Sequence, residues 1–259
     1  MRALNLFLAV LKKSWIGWKR YPFNLVSSFI TIYLLFLIVF FGYSHFAAKG
    51  PSFGEHLDGI VVGFLLWLFA ISAYSSLSWE MMREAEIGTL EQLFMTPLGF
   101  DLLTLFKIIV DFILTLFIFI LPVLFIMMAT TGRWLHLDLI SLLPLFIFTL
   151  MSVYGIGFLT GGLALVFKQI RSFFQILQFV FVGLIAAPVD KIPALKVLPL
   201  SLGTELIAKI MIHNLRLWQL NKMDLIFLIL NGTFYFLAGF YIFKYFVKIA
   251  RVRGVLGHY

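Results

Sequence analysis

Residues 139–167 read LISLLPLFIFTLMSVYGIGFLTGGLALVF, a run of 29 residues without one charged side chain. As a helix rising 1.5 Å per residue it extends about 43 Å, more than the roughly 30 Å hydrocarbon core of a bilayer. Five further uncharged runs flank it: Tyr21–Ala48, Gly59–Trp79, Phe112–Gly132, Ser172–Val189 and Leu225–Phe243. Each is near the length a membrane-crossing helix needs. The pattern predicts an all-α polytopic membrane protein with six transmembrane helices. The connectors leave no room for a soluble domain, so residues 1–259 read as a single transmembrane domain.

Composition agrees. The 259 residues are 62% hydrophobic and 12% charged, with a mean hydropathy of +1.04; a soluble domain carries about 25% charged residues. Disorder is excluded by 31 Phe and 6 Trp. With no cysteine, a disulfide framework, a thiolate nucleophile and a thiolate metal site are excluded as well. The net charge of +8 reads as a topology signal, with no nucleic-acid role required.

Lys and Arg gather before the first run (Arg2, Lys12, Lys13, Lys19, Arg20), between the fourth and fifth (Lys168, Arg171) and after the last (Lys244, Lys248, Arg251, Arg253). These flanks are assigned to the cytoplasm, and an even number of spans puts both termini there. Lys191, Lys196, Lys209, Arg216 and Lys222 oppose that assignment from a longer connector, which weighs less. Residues 1–20 are not expected to be a cleaved leader, because their charges follow the apolar run. Leu4, Phe7, Leu8, Leu11, Trp15 and Trp18 instead form a stripe at helical spacing, predicting an interfacial helix that serves as a topology anchor or a platform for a cytoplasmic partner.

Residues 80–99, EMMREAEIGTLEQLFMTPLG, are the most acidic stretch of the chain. Thr89 can N-cap a short helix reaching Thr96, with Leu90, Leu93 and Phe94 on one face and Pro97 as its stop. A plain solvated loop is the alternative from these residues alone. The series Arg83-Glu84-x-Glu86-x-Gly88-Thr89-Leu90-Glu91-Gln92-Leu93-x-x-x-Pro97 resembles the signature of membrane subunits of ATP-binding-cassette exporters of the type-2 permease group. The resemblance covers nearly the whole chain. It implies an interfacial N-terminal helix, six spans, a cytoplasmic coupling helix over 80–99, and an external proline-bearing segment with short re-entrant helices over 190–222. Pro188, Ile192-Pro193, Leu198-Pro199-Leu200 and Gly203–Lys209 are similar to that last segment. It implies also a second permease subunit, identical or not, a separate ATPase holding ATP and magnesium, and the plasma membrane of a bacterium or archaeon. On this reading Arg83, Glu84, Glu86, Gly88, Thr89, Leu90, Glu91, Leu93 and Phe94 couple to the ATPase. Leu90, Leu93 and Phe94 would fill a cleft on it, and Glu84, Glu86 and Glu91 would meet basic residues there.

The chain contains no Gly-x-x-x-x-Gly-Lys-[Ser/Thr] motif, no His-Glu-x-x-His and no Gly-x-Ser-x-Gly. No catalytic residue, no resident cofactor and no metal ligand is therefore predicted, and ATP hydrolysis is left to a partner. Lys107 and Asp111, four residues apart, are expected to pair on one face near the start of the third span. Arg171, Gln175 and Gln178 share a face of the fifth span, and amides avoid lipid. Trp67, Tyr74, Ser75 and Ser78 add polar groups to the second. The resemblance places the second and fifth spans around the translocation path, so Trp67, Tyr74, Ser75, Gln175 and Gln178 are candidate path residues; ordinary interhelical hydrogen bonding is the alternative. Gly155, Gly157, Gly161 and Gly162 allow close helix packing, and Pro122 and Pro144 are placed to kink their spans. Two other functions compete: an ion-driven transporter, which calls for inverted repeats and buried acids, and a non-transporting membrane anchor. The apolar character of the path favours an amphipathic or lipid-like cargo.

Overall fold

The computed structural model describes residues 2–46, 53–167 and 171–252, without the side chains of 53–55, 171 and 251. Lys168, Arg253 and the side chains of Arg171 and Arg251, all used above as topology or path signals, lie outside the described residues. Among the described residues ten α-helices follow one another: α1 (Arg2–Arg20), α2 (Pro22–Phe46), α3 (Phe53–Glu86), α4 (Leu90–Phe94), α5 (Phe100–Leu114), α6 (Leu121–Thr131), α7 (Leu139–Val166), α8 (Arg171–Ile185), α9 (Ser201–His213) and α10 (Lys222–Val252). No strand occurs among the described residues. The protein is an all-α polytopic membrane protein.

Among the described residues, five helices or continuous helix pairs are long and apolar enough to cross a bilayer: Pro22–Phe46, His56–Glu86, Phe100–Thr131, Leu139–Val166 and Lys222–Ala250. The remaining expected span, the fifth in chain order, is shorter. Ser172–Val189 becomes α8, 15 residues long, about 22 Å at 1.5 Å per residue. A turn at Ala186 and Ala187 ends it ahead of Pro188, which lacks the N–H a helix would need and disfavours helical geometry in the residue before it.

Helix direction alternates along the chain. Ala73 and Leu77 of α3 meet Gly157 and Gly161 of α7, and Phe148 and Gly162 of α7 meet Gly232 and Phe246 of α10, so these three run parallel. The neighbours run against them: Lys107 of α5 faces Glu80 while Phe112 faces Phe69, and Phe174 and Ile185 of α8 reach Trp79 and Gly63 respectively. One end of the bundle therefore carries α1, α4 and the C-terminus of α3. The other carries α9 and the N-terminus of α3, where Asp58 pairs with Arg133 at 3.6 Å.

Helices α3 and α7 supply most of the interior. The Gly157-x-x-x-Gly161 pair packs on α3. A Cβ on Gly155 would land on the backbone of Tyr235, and one on Gly239 on the carbonyl of Gly155, so the α7–α10 crossing is glycine on both sides. A hydrogen-bonded chain adds to the α3–α7 contact: Ser78 donates to Thr160 Oγ1 (3.0 Å), and Thr160 donates to the Tyr74 carbonyl (2.8 Å).

Two features of the third span differ from expectation. It is helical from Phe100, so Lys107 and Asp111 lie well inside it. Lys107 pairs with Glu80 of α3 at 2.7 Å instead of with Asp111; a neighbouring helix offers its carboxylate to a lysine already turned inward. Ahead of Pro122 the helix widens into a π segment, Thr115–Ile120, the kind of local adjustment that re-satisfies a backbone whose ladder a proline interrupts.

Candidate functional site

The end of α3 is a Schellman stop. Gly88 adopts φ 71°, its N–H donates to the Ala85 carbonyl at 3.1 Å, and the Thr89 N–H donates to the Glu84 carbonyl at 2.9 Å. Glycine is required at that left-handed position. The next residue, Thr89, stands at the N-terminus of α4 but does not cap it through its side chain. Its hydroxyl instead donates to the Glu84 carboxylate in a very short contact. Lys13 of α1 donates to the other oxygen of the same carboxylate at 2.7 Å. Glu84, 4% exposed, is thus the knot that ties the interfacial helix to the start of α4.

This geometry reverses part of the expected presentation of residues 80–99. The expected Thr89–Thr96 helix is the five-residue α4, because Gly99, at φ 86°, and Phe100 redirect the chain into α5. Glu84 faces inward, as does Leu90 at 1% exposure. Leu93 and Phe94 are half-buried. Phe94 stacks on Phe100 at 4.1 Å, Phe100 on Phe243 at 6.0 Å, and Phe243 lies 5.6 Å from Phe158. A row of rings therefore runs from α4 through α5 and α10 to α7. Arg83, Glu86, Gly88 and Glu91 remain exposed. Beside them two apolar side chains project outward, Ile87 at 63% and Met95 at 81% exposure.

Helix α1 lies along α5. Val10 is buried, Phe7 meets Phe106 edge-on at 5.5 Å, and Leu11 and Trp18 pack inward. Leu4, Leu8 and Trp15 of the predicted stripe stay exposed, so the stripe is divided between a protein-facing edge and an outward one.

The five candidate path residues are not brought together on one surface. Tyr74 is sealed between α3 and α8, donating to the Phe174 carbonyl at 2.9 Å and stacking on Phe181 at 5.1 Å. Ser75 is buried and donates to the Ile71 carbonyl of its own helix. Trp67 is half-buried with its indole N–H unpartnered. Gln175 is exposed on α8 and Gln178 half-buried. The outer face of α8 is otherwise apolar, with Ile176, Phe179 and Val180 exposed.

At the opposite end, α9 docks by Gly203 against Thr149 of α7. Leu200, in the left-handed region at φ 72°, donates its N–H to Ser152 Oγ at 3.2 Å. Lys196 pairs with Asp224 at 2.6 Å, and Asn231 Nδ2 donates to the Val197 carbonyl at 2.6 Å. These bonds hold the proline-bearing segment onto α7 and α10.

Sequence reading missed Lys13, Ile87, Met95 and Phe100. A signal for Gly88 and Thr89 was present in the Gly-Thr pair that closes a helix. Nothing local marked Lys13, whose partner is 71 residues away. A family model described as ABC-2 family transporter protein matches residues 49–241, three quarters of the chain. A comparison with curated proteins gives no match.

Proposed function

Because the chain belongs to the ABC-2 transporter family, we propose that it is the membrane subunit of an ATP-driven exporter, forming a translocation path with a second permease subunit and drawing its energy from a separate ATPase. ATP and magnesium would sit on that partner. Residues 80–99 would lie in the cytoplasm with both termini, and 190–222 outside. The cargo would be amphipathic or lipid-like, in keeping with the apolar outer face of α8.

The observation that carries this reading is the build of the α3–α4 junction. A lever needs a rigid root, a connection to the spans and a grip for its driver. The Schellman stop and the Lys13–Glu84–Thr89 knot supply the root. The ring row Phe94–Phe100–Phe243–Phe158 supplies the connection. The grip is the exposed surface of Ile87, Gly88, Glu91 and Met95, with Arg83 and Glu86 beside it; Glu84 and Leu90 act from behind it. Apolar anchors ringed by charge are what a partner's cleft takes up. A push on Met95 and Ile87 would then turn α4 against Phe100 and move α10 and α7 relative to α3, provided the ATPase contacts the two states unequally.

The test is the pair Ile87→Asp and Met95→Asp, which touch nothing in the interior. The complex should keep its fold and lose at least tenfold in cargo-stimulated ATP hydrolysis measured in proteoliposomes. Unchanged stimulation would remove the grip assignment. A rigid anchor without transport predicts no such loss.

A further inference from the structure

A cavity of about 230 Å³ opens between α3, the end of α8 and α9, at the end of the bundle opposite α4, and the transport reading makes no use of it. Its walls divide by chemistry. Val62, Ile185 and Val189 give an apolar side, while Ser201, Thr204, Asp190 and Glu205 give a polar one. Ser201 is 1% exposed and its hydroxyl has no hydrogen-bond partner. Glu205 Oε2 is likewise buried without a donor. Thr204 Oγ1 spends its proton on the Leu200 carbonyl at 2.9 Å, which leaves its lone pairs as acceptors.

The polar side therefore holds more acceptors than donors. Lys209 supplies a cation, bonded to Glu205 Oε1 in a short contact and to Asp190 Oδ1 at 3.4 Å. Two carboxylates against one ammonium leave one negative charge in excess when both acids are ionised. Burial pushes the Glu205 carboxyl up from its ordinary value, with Asp190 adding to it. Burial opposes the charge on Lys209, yet the Glu205 and Asp190 carboxylates outweigh it and hold that ammonium above its usual range. A buried carboxylate oxygen short of donors is costly, and an added N–H relieves it.

We propose that this cavity binds a small organic cation, with an ammonium group donating to Glu205 Oε2 and Ser201 Oγ and a short apolar body against Val62, Ile185 and Val189. A divalent metal fits worse. Calcium takes about six to eight oxygens, and half of this wall is hydrocarbon. The apolar side selects a carbon-bearing cation, and the acidic side rejects a neutral or anionic one of the same shape. The site lies between α3 and α9 where α8 ends, so it rests on the transport reading and deepens it by giving the path an amine-selective chamber at its far end.

The experiment is equilibrium binding, which requires no ATPase and so can fail independently of the transport reading. n-Butylammonium chloride is titrated calorimetrically into the full chain in lipid nanodiscs, beside n-butanol and sodium chloride. Saturable heat is expected for butylammonium alone, at one site per chain. Glu205→Gln should weaken it at least tenfold, and Ser201→Ala about threefold, the second variant serving if the first does not fold. Equal binding of butanol, displacement by sodium at matched concentration, absence of saturable heat, or affinity unchanged in the variants would each overturn the proposal.

Discussion

Lys107 and Glu80 illustrate what one residue can and cannot decide. Lys107 is 8% exposed at its side chain and Glu80 22%, so their pairing removes an ammonium from solvent without fully burying its counter-ion. Breaking such a pair from one side leaves an uncompensated charge, which costs about 3–5 kcal/mol when burial is complete and less here. Glu80→Leu should therefore lower the unfolding temperature sharply in detergent, and adding Lys107→Met should restore most of the loss. A double variant as unstable as the single would show that the pair is not the cause. The sequence placed Lys107 with Asp111 because both stand on one helix face four residues apart. A cross-helix carboxylate won, and Asp111 Oδ2 is left buried without a partner. Helical spacing says which residues can meet on one helix and nothing about what an adjacent helix offers.

At the scale of elements the glycines of α7 have separate duties. Gly157 and Gly161, the pair that spacing singled out, pack on Ala73, Tyr74 and Leu77 of α3, whereas Gly155 opposes α10. Overpacking a tight crossing costs about 1–3 kcal/mol. Gly155→Ala and Gly239→Ala should each destabilise by that order in thermal unfolding, because the added carbon meets backbone that cannot step aside. Gly183→Ala in α8, which meets open space, should be neutral or better. Equal effects at all three positions would contradict the crossing described. Element existence was largely legible: uncharged runs marked the long helices, and Thr89 marked the start of α4. The length of α8 was not, since eighteen uncharged residues from Ser172 to Val189 conceal a turn before Pro188. Nor was the π segment: Pro122 marked a kink, but its form depends on how the neighbouring turns repair their hydrogen bonds.

Over the whole molecule, the two ends are built differently. One is tied by charge and aromatic stacking: Lys13 to Glu84, Lys244 to Asp101 at 3.1 Å, and the ring row into α10 and α7. The other adds the docking of α9 on α7 to the Lys196–Asp224 and Asp58–Arg133 pairs, and carries a cavity lined in part by Asp190 and Glu205. On the proposed function, a bundle fastened at both ends around the α3–α7–α10 core would pass a movement of α4 along α10. The sequence marked residues 80–99, the proposed lever, through their acidic run and through Thr89 and Pro97. It could not expose which face of the lever looks outward, because Glu84 and Leu90 are turned inward by contacts made with distant parts of the chain. The most direct test uses the absence of cysteine. Met95→Cys becomes the only thiol and can be probed with a membrane-impermeant maleimide in sealed vesicles of each orientation, with and without the assembled ATPase. The account predicts labelling from the cytoplasmic side alone and protection once the ATPase is bound. Labelling from the outside, or undiminished labelling in a complex that hydrolyses ATP and transports, would contradict it.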